Sequence, residues 1–112
     1  MEDEIIQAAI QIILHAGNAR EEIRKAVEDI KNLDEDSYKK RIVNAKELLR
    51  KAHVQQTQII QDEAKGIHHE INILFIHAQD TLMTIMSELN MLETLGSVLL
   101  EFGQKIKDNE GK

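Results

Sequence analysis

The stretch FIHAQDTLMTIM, residues 75–86, has the pattern of an apolar helix, yet it carries His77 and Asp80 three residues apart. An imidazole in such a setting can act as a general base, a metal ligand or a nucleophile. As a nucleophile toward phosphorus it would carry a phosphoryl group on nitrogen, and neutral neighbours could hold the phosphoryl oxygens without trapping them in a cationic pocket. A histidine on a bundle helix also serves as an ordinary hydrogen-bonded interior residue. Competing chemistries lack their residues. With no cysteine there is no thiolate nucleophile, disulfide or cysteine-based zinc site, a composition that suits a reducing compartment. No two histidines stand at i, i+4 and no Glu-x-x-His occurs, which argues against the zinc and di-iron enzymes built on helical bundles. There is also no glycine-rich phosphate loop and no nucleophile elbow.

The elements that must position His77 are helices. The 112 residues include no proline, no tryptophan and one tyrosine with two phenylalanines, which predicts a single all-α domain over 1–112. The 14 Lys and Arg against 20 Asp and Glu leave a net charge of −6, which repels a phosphate backbone and excludes nucleic acid as a partner class. The opening MEDE has no basic leader character, and no run approaches the roughly 18 apolar residues of a membrane span. A soluble protein with no membrane insertion is expected. The cluster NLDEDS at 32–37 and the pair Lys65-Gly66 interrupt the helical pattern. Helices are therefore predicted over about 3–31, 36–65 and 68–107, joined by short turns into an up-down-up three-helix bundle, with 108–112 frayed.

Helix 1 repeats Ile6, Ala9, Ile13, Ala16, Ile23, Val27 and Ile30 at steps of three and four, and helix 2 repeats Tyr38, Ile42, Ala45, Leu49, Ala52 and Ile59. Each shows one apolar stripe. Helix 3 shows two. Ile71, Leu74, Ala78, Leu82, Ile85, Leu89 and Leu92 share one side, while Ile73, Ile76, Met83, Met91 and Val98 lie roughly opposite. Helices 1 and 2 cover one side only, so the pattern predicts self-association through helix 3. Asp80 falls within the second stripe. In a cyclic assembly identical aspartates would meet on the axis and require a cation or shared protons. A register-fixing polar residue is the alternative, and spacing leaves both open.

Antiparallel packing also predicts a polar layer in which His15, Asn18 and Arg20 meet His53, Gln56 and Thr57 beside His77, Gln79 and Asp80. Gly17 in mid-helix would be offset by close approach of another backbone. Gln55 and Gln58 are read as surface or site with equal weight, and His68 and His69 as facing water.

AGNAR at 16–20, AHVQQT at 52–57 and HAQDTLMT at 77–84 resemble three marker segments of the lactose/cellobiose-type (N,N'-diacetylchitobiose) IIA components of the bacterial phosphoenolpyruvate-dependent sugar phosphotransferase system. The resemblance runs over about residues 5–106, and its most specific part is the His77 segment. It implies a cytoplasmic phosphocarrier built as a homotrimer of three-helix protomers. His77 would accept a phosphoryl group through Nε2 from the phosphocarrier protein HPr and pass it to a cysteine of the IIB component. Asp80 matches the family aspartate that binds a magnesium ion on the trimer axis. Gln79, Gln56 and Thr57 are candidate donors to the phosphoryl group, and His53 a supporting residue. Thr81 departs from the pattern, because the family commonly has a second histidine directly after the aspartate. A histidine phosphotransfer domain of a two-component relay is disfavoured, because His77 is followed by Ala-Gln-Asp-Thr and not by the usual x-Leu-Lys-Gly. A non-catalytic trimeric adaptor or regulatory IIA relative is the remaining alternative, and the sugar itself is not named by the sequence.

Overall fold

The computed structural model describes residues 2–70 and 72–111 and shows the expected all-α, up-down-up bundle of three helices: α1 (Glu2–Lys31), α2 (Glu35–Ala64) and α3 (Ile73–Glu110). The bundle is a rod of 66 × 20 × 19 Å. A rod this thin has little room for large side chains at its centre, and its seam is built on alanine. Ala9, Ala16, Ala19 and Ala26 of α1, Ala45 and Ala52 of α2, and Ala78 of α3 have no exposed surface. Alanine favours the helix and loses no side-chain entropy on burial. Isoleucines and leucines fill the spaces between them, with Ile12, Leu82 and Ile85 the largest fully buried side chains.

On α2 all six residues of the predicted stripe are buried, joined by Gln56. On α1 the buried row is Ile5, Ala8, Ala9, Ile12, Ala16, Ala19, Ile23 and Ala26, rotated from the predicted stripe, so that Ile6, Ile13 and Ile30 are only partly buried and Val27 is exposed. On α3, Ala78, Leu82, Ile85 and Leu89 are buried as expected and Leu92 is partly so, but Leu74 is exposed and Ile71 lies outside the described residues.

Asp34 caps α2 by accepting a hydrogen bond from the Ser37 N–H at 3.1 Å, while the Ser37 hydroxyl donates to Asp29 of α1 at 2.8 Å. Arg41 of α2 reaches Glu22 and Asp29 of α1 at 3.4 and 3.6 Å. Tyr38 donates to the Leu92 carbonyl of α3 at 3.4 Å, and burial raises its phenol above the ordinary range.

Three expectations require correction. First, α3 begins at Ile73, not at 68. Gly66 at φ +85° ends α2 and sends the chain away. Glu63 then accepts from the His68 ring at 3.0 Å and the His69 N–H at 3.4 Å, which holds its carboxyl below the usual range. The helix restarts only where the Asn72 side chain caps it by accepting from the Phe75 N–H at 3.1 Å. Second, residues 108–110 continue α3, supported by Gln104 donating to Asp108 at 3.2 Å; Lys112 lies outside the described residues. Third, nothing approaches Gly17, where an added Cβ would meet no atom within 4 Å. Close approach occurs at two other glycines. A Cβ on Gly96 would sit 2.7 Å from the Tyr38 hydroxyl, and one on Gly103 would sit 2.6 Å from Leu33 Cδ2. Leu33 itself adopts φ +55°, a left-handed conformation costly for leucine, and it turns its side chain onto Gly103.

Two glycine substitutions should therefore act with opposite sign. Gly17→Ala is expected to stabilise the fold by about 1 kcal/mol, since only helix propensity changes. Gly96→Ala is expected to destabilise it by about 1–3 kcal/mol through overpacking against Tyr38. Chemical denaturation at one fixed protein concentration checks both, and a shift of the same sign would refute the packing described.

Candidate functional site

His77 is the fifth residue of α3, and its imidazole is exposed. Because α3 starts at Ile73, His77 stands in the second turn, close to the positive end of a 38-residue helix. Side chains on a helix lean toward its N-terminus, so the imidazole inclines over the first turn, where the Ile73 and Leu74 N–H groups precede the first helical hydrogen bond, from Ile76 N–H to the Asn72 carbonyl at 3.1 Å.

Thr81 lies one turn beyond His77 on the same face and donates its hydroxyl hydrogen to the His77 carbonyl at 2.9 Å. That bond returns Thr81 to its own helix and leaves the space over the imidazole open. Asp80, about 60° round from His77, is exposed between Ile76 and Met83, which are also exposed.

The other predicted site residues divide into two groups. Gln56, only 7 % exposed, donates from Nε2 to Gln79 Oε1 at 3.3 Å and so links α2 to α3 at nearly the height of His77. Gln79 projects about 160° away from His77 around α3, so within one protomer the two amides face each other and not the imidazole. Thr57, next to Gln56, is half-buried. His53 is exposed and lines an α2–α3 groove with Met86 and Asn90, more than two turns along α3 from His77. The layer predicted across all three helices does not form. Arg20 pairs with Glu88 at 2.7 Å, eleven residues or about 16 Å along α3 from His77, and this register carries Asn18 and His15 away as well. His15 is half-buried, and its Nδ1 has no hydrogen-bond partner among the described residues.

The second stripe of α3 lies open to solvent: Ile73, Ile76, Met83, Met91 and Val98 are all exposed. It extends further than predicted, through Leu95, Leu99, Phe102 and Ile106, whose three- and four-residue steps were legible in the sequence. Between this row and α1 runs an apolar groove of about 750 Å³, lined by Ile23, Val27, Met83, Met91, Leu95 and Leu99 among others. His69, expected to face water, is buried against Asp62, whereas His68 faces water as expected. The signal was present in a carboxylate and a histidine seven residues apart across a glycine turn.

Residues 7–99 match the family described as PTS system, Lactose/Cellobiose specific IIA subunit. The chain belongs to that family. It is 37 % identical over 111 residues to the lichenan-specific phosphotransferase enzyme IIA component of Bacillus subtilis, covering 99 % of this chain and 97 % of the relative. It is 30 % identical over 110 residues to the lactose-specific EIIA component of Lacticaseibacillus casei, covering 98 % and 95 %. The crystal structure of the cellobiose-specific enzyme IIA from Bacillus anthracis superposes with a TM-score of 0.78 at 34 % identity, covering 93 % of this chain and 92 % of that one. This IIA component therefore has a named place in a sugar phosphotransferase system, and no helix among its described residues is long and apolar enough to cross a membrane.

The Gln56–Gln79 contact should behave as a coupled pair. Gln56→Ala is expected to destabilise the bundle by about 1–2 kcal/mol, because a part-buried acceptor loses its donor. A double-mutant cycle with Gln79→Ala should return a coupling of about 1 kcal/mol, and strict additivity would show that the amides do not bond.

Proposed function

We propose that this IIA component is a cytoplasmic phosphocarrier that accepts a phosphoryl group on His77 from phospho-HPr and delivers it to a cysteine of a IIB component during sugar uptake. The observation that carries this reading is an exposed imidazole in the second turn of α3, within the stretch that matches the family. Transfer is an exchange of one P–N bond for another. The unprotonated Nε2 of His77 attacks phosphorus in line as the donor's phosphohistidine N–P bond breaks, and the second half exchanges the new P–N bond for P–S on the IIB thiolate. Both partners must bring phosphorus to within bonding range of a side chain that cannot travel, and exposure meets that need. The α3 N-terminus, one turn away, favours the added charge by less than the roughly 0.3–1 kcal/mol of a charge within the first turn. That suits a group which must leave again.

The relatives' names differ in their sugars, being lichenan, lactose and cellobiose, although all share this family. Specificity belongs to the partner that contacts sugar.

The open apolar row of α3 supports a homotrimer in which these rows pack together. Asp80 lies in that row and supplies one carboxylate per protomer. Three copies on an axis would offer three hard oxygen donors, a set that fits magnesium with water completing the shell. The ion would supply charge neutralisation at the axis and take no part in transfer. Gln56, Gln79 and Thr57, near the height of His77, and His53, farther along the α2–α3 groove, would act by fixing α2 against α3 and not as donors to the phosphoryl group, since within one protomer the two amides face each other.

Intact mass after incubation with phosphoenolpyruvate, enzyme I and HPr, kept out of acid, tests the carrier. One phosphoryl group is expected on the native chain and none on His77→Ala. Absence of the group on both, with HPr phosphorylated, would favour the adaptor alternative that Thr81 keeps in view. Light scattering tests the axis: Asp80→Asn should keep trimer mass, because it removes the like charges, and Asp80→Lys should lower it. Unchanged mass for both variants would remove Asp80 from the axis.

A further inference from the structure

Away from His77, the end of the rod holding the α2–α3 connector gathers Glu4 from the first turn of α1, Asp62 from the last turn of α2, and His69 from the connector itself. One potential ligand atom from each lies within 4.8 Å of the other two. Asp62 Oδ2 and His69 Nε2 are already 3.1 Å apart. Ligand atoms around a tetrahedral ion with bonds of about 2.0–2.2 Å stand roughly 3.4 Å from one another. One edge of such a site is thus near its required length, the ion replacing the proton that Nε2 shares with Asp62, and the exposed Glu4 side chain has to close in.

Three further features fit an ion. The His69 side chain is 2 % exposed, so the ring is held in place and not merely draped on the surface. Glu4 and Asp62 have no ion pair with Lys or Arg among the described residues, which leaves two neighbouring carboxylates facing a single imidazole. A groove of about 420 Å³ whose lining includes Asp3, Glu4, Gln7, Gln58 and Asp62 opens onto the cluster and provides an entry path.

We propose that Glu4, Asp62 and His69 form a second metal site, selective for a divalent transition ion of the zinc class. One imidazole and two carboxylates, with water as fourth ligand, is a zinc donor set, whereas magnesium prefers oxygen alone. The ion ties together three chain segments that meet just before α3 starts at Ile73, with His69 eight residues before His77.

The 112-residue chain carrying Asp80→Asn, which removes the carboxylate proposed to bind Mg²⁺, is titrated with Zn²⁺ by calorimetry. One saturable site per chain is expected, not displaced by excess Mg²⁺ and retained in His68→Ala. Adding Glu4→Gln, an exposed substitution that leaves the core intact, should weaken Zn²⁺ by at least the roughly 10- to 100-fold that loss of a supporting partner costs. Asp62→Asn should do the same, with helix content by circular dichroism confirming that both variants fold. Co²⁺ should show tetrahedral visible bands in the parent and lose them in Glu4→Gln. No saturable uptake by the parent, or equal affinity in folded Glu4→Gln and Asp62→Asn, overturns the proposal.

Discussion

The architecture depends on how closely α1 and α2 approach. Alanines with no exposed surface recur along both helices, and a seam built on them draws the two axes together. The result is a rod about 20 Å thick. Two helices so close together present one shallow trough, and a third helix laid in it can be covered on one side only. Thinness at the seam and exposure on α3 are therefore the same fact. A wider α1–α2 spacing, filled by leucines, would have given a fuller core and a smaller uncovered row.

Placing the reactive imidazole on the uncovered helix reconciles two demands. A carrier must show its nucleophile to two macromolecular partners in succession, yet hold it rigidly enough for in-line exchange. Here rigidity comes from the buried side of α3, through Ala78 and Leu82, and access from the other side. Thr81 adds to the access, since its hydroxyl is spent on its own helix backbone. A histidine at that position would offer a ring nitrogen one turn from His77. This chain offers a methyl group and a satisfied oxygen.

Much of this was legible in the sequence, for physical reasons that differ by element. The α2 stripe was read correctly because one narrow face meets its neighbours, so burial and 3.6-residue periodicity coincide. On α1 the same method set the stripe to one side, because its apolar residues come in adjacent pairs, Ile5-Ile6, Ala8-Ala9 and Ile12-Ile13, and periodicity alone does not say which member of each pair faces the neighbours. The heights of residues on different helices were harder. The Gln56–Gln79 level followed from folding about Gly66, whereas the Arg20–Glu88 pair lies more than two turns from the expected layer. Register between helices is fixed by interlocking contacts such as Leu33 on Gly103, which no single-helix pattern encodes. The start of α3 was missed because His69 favours Asp62 over helix, a tertiary preference outweighing local propensity.

The two tight glycines sit seven residues apart on one face of α3, one beneath Tyr38 and Ile30 and the other beneath Leu33. Together they work as paired notches on a ruler. Sliding α3 by one turn in either direction would bring a bulkier residue under at least one of these side chains, so only one axial setting is free of collision. His77 is rigidly joined to this index mark by 26 residues of continuous helix, a length of about 39 Å. The height of the imidazole is thus calibrated at the far end of the molecule, and the surface around it can diverge to suit a new partner while the reactive nitrogen keeps its address.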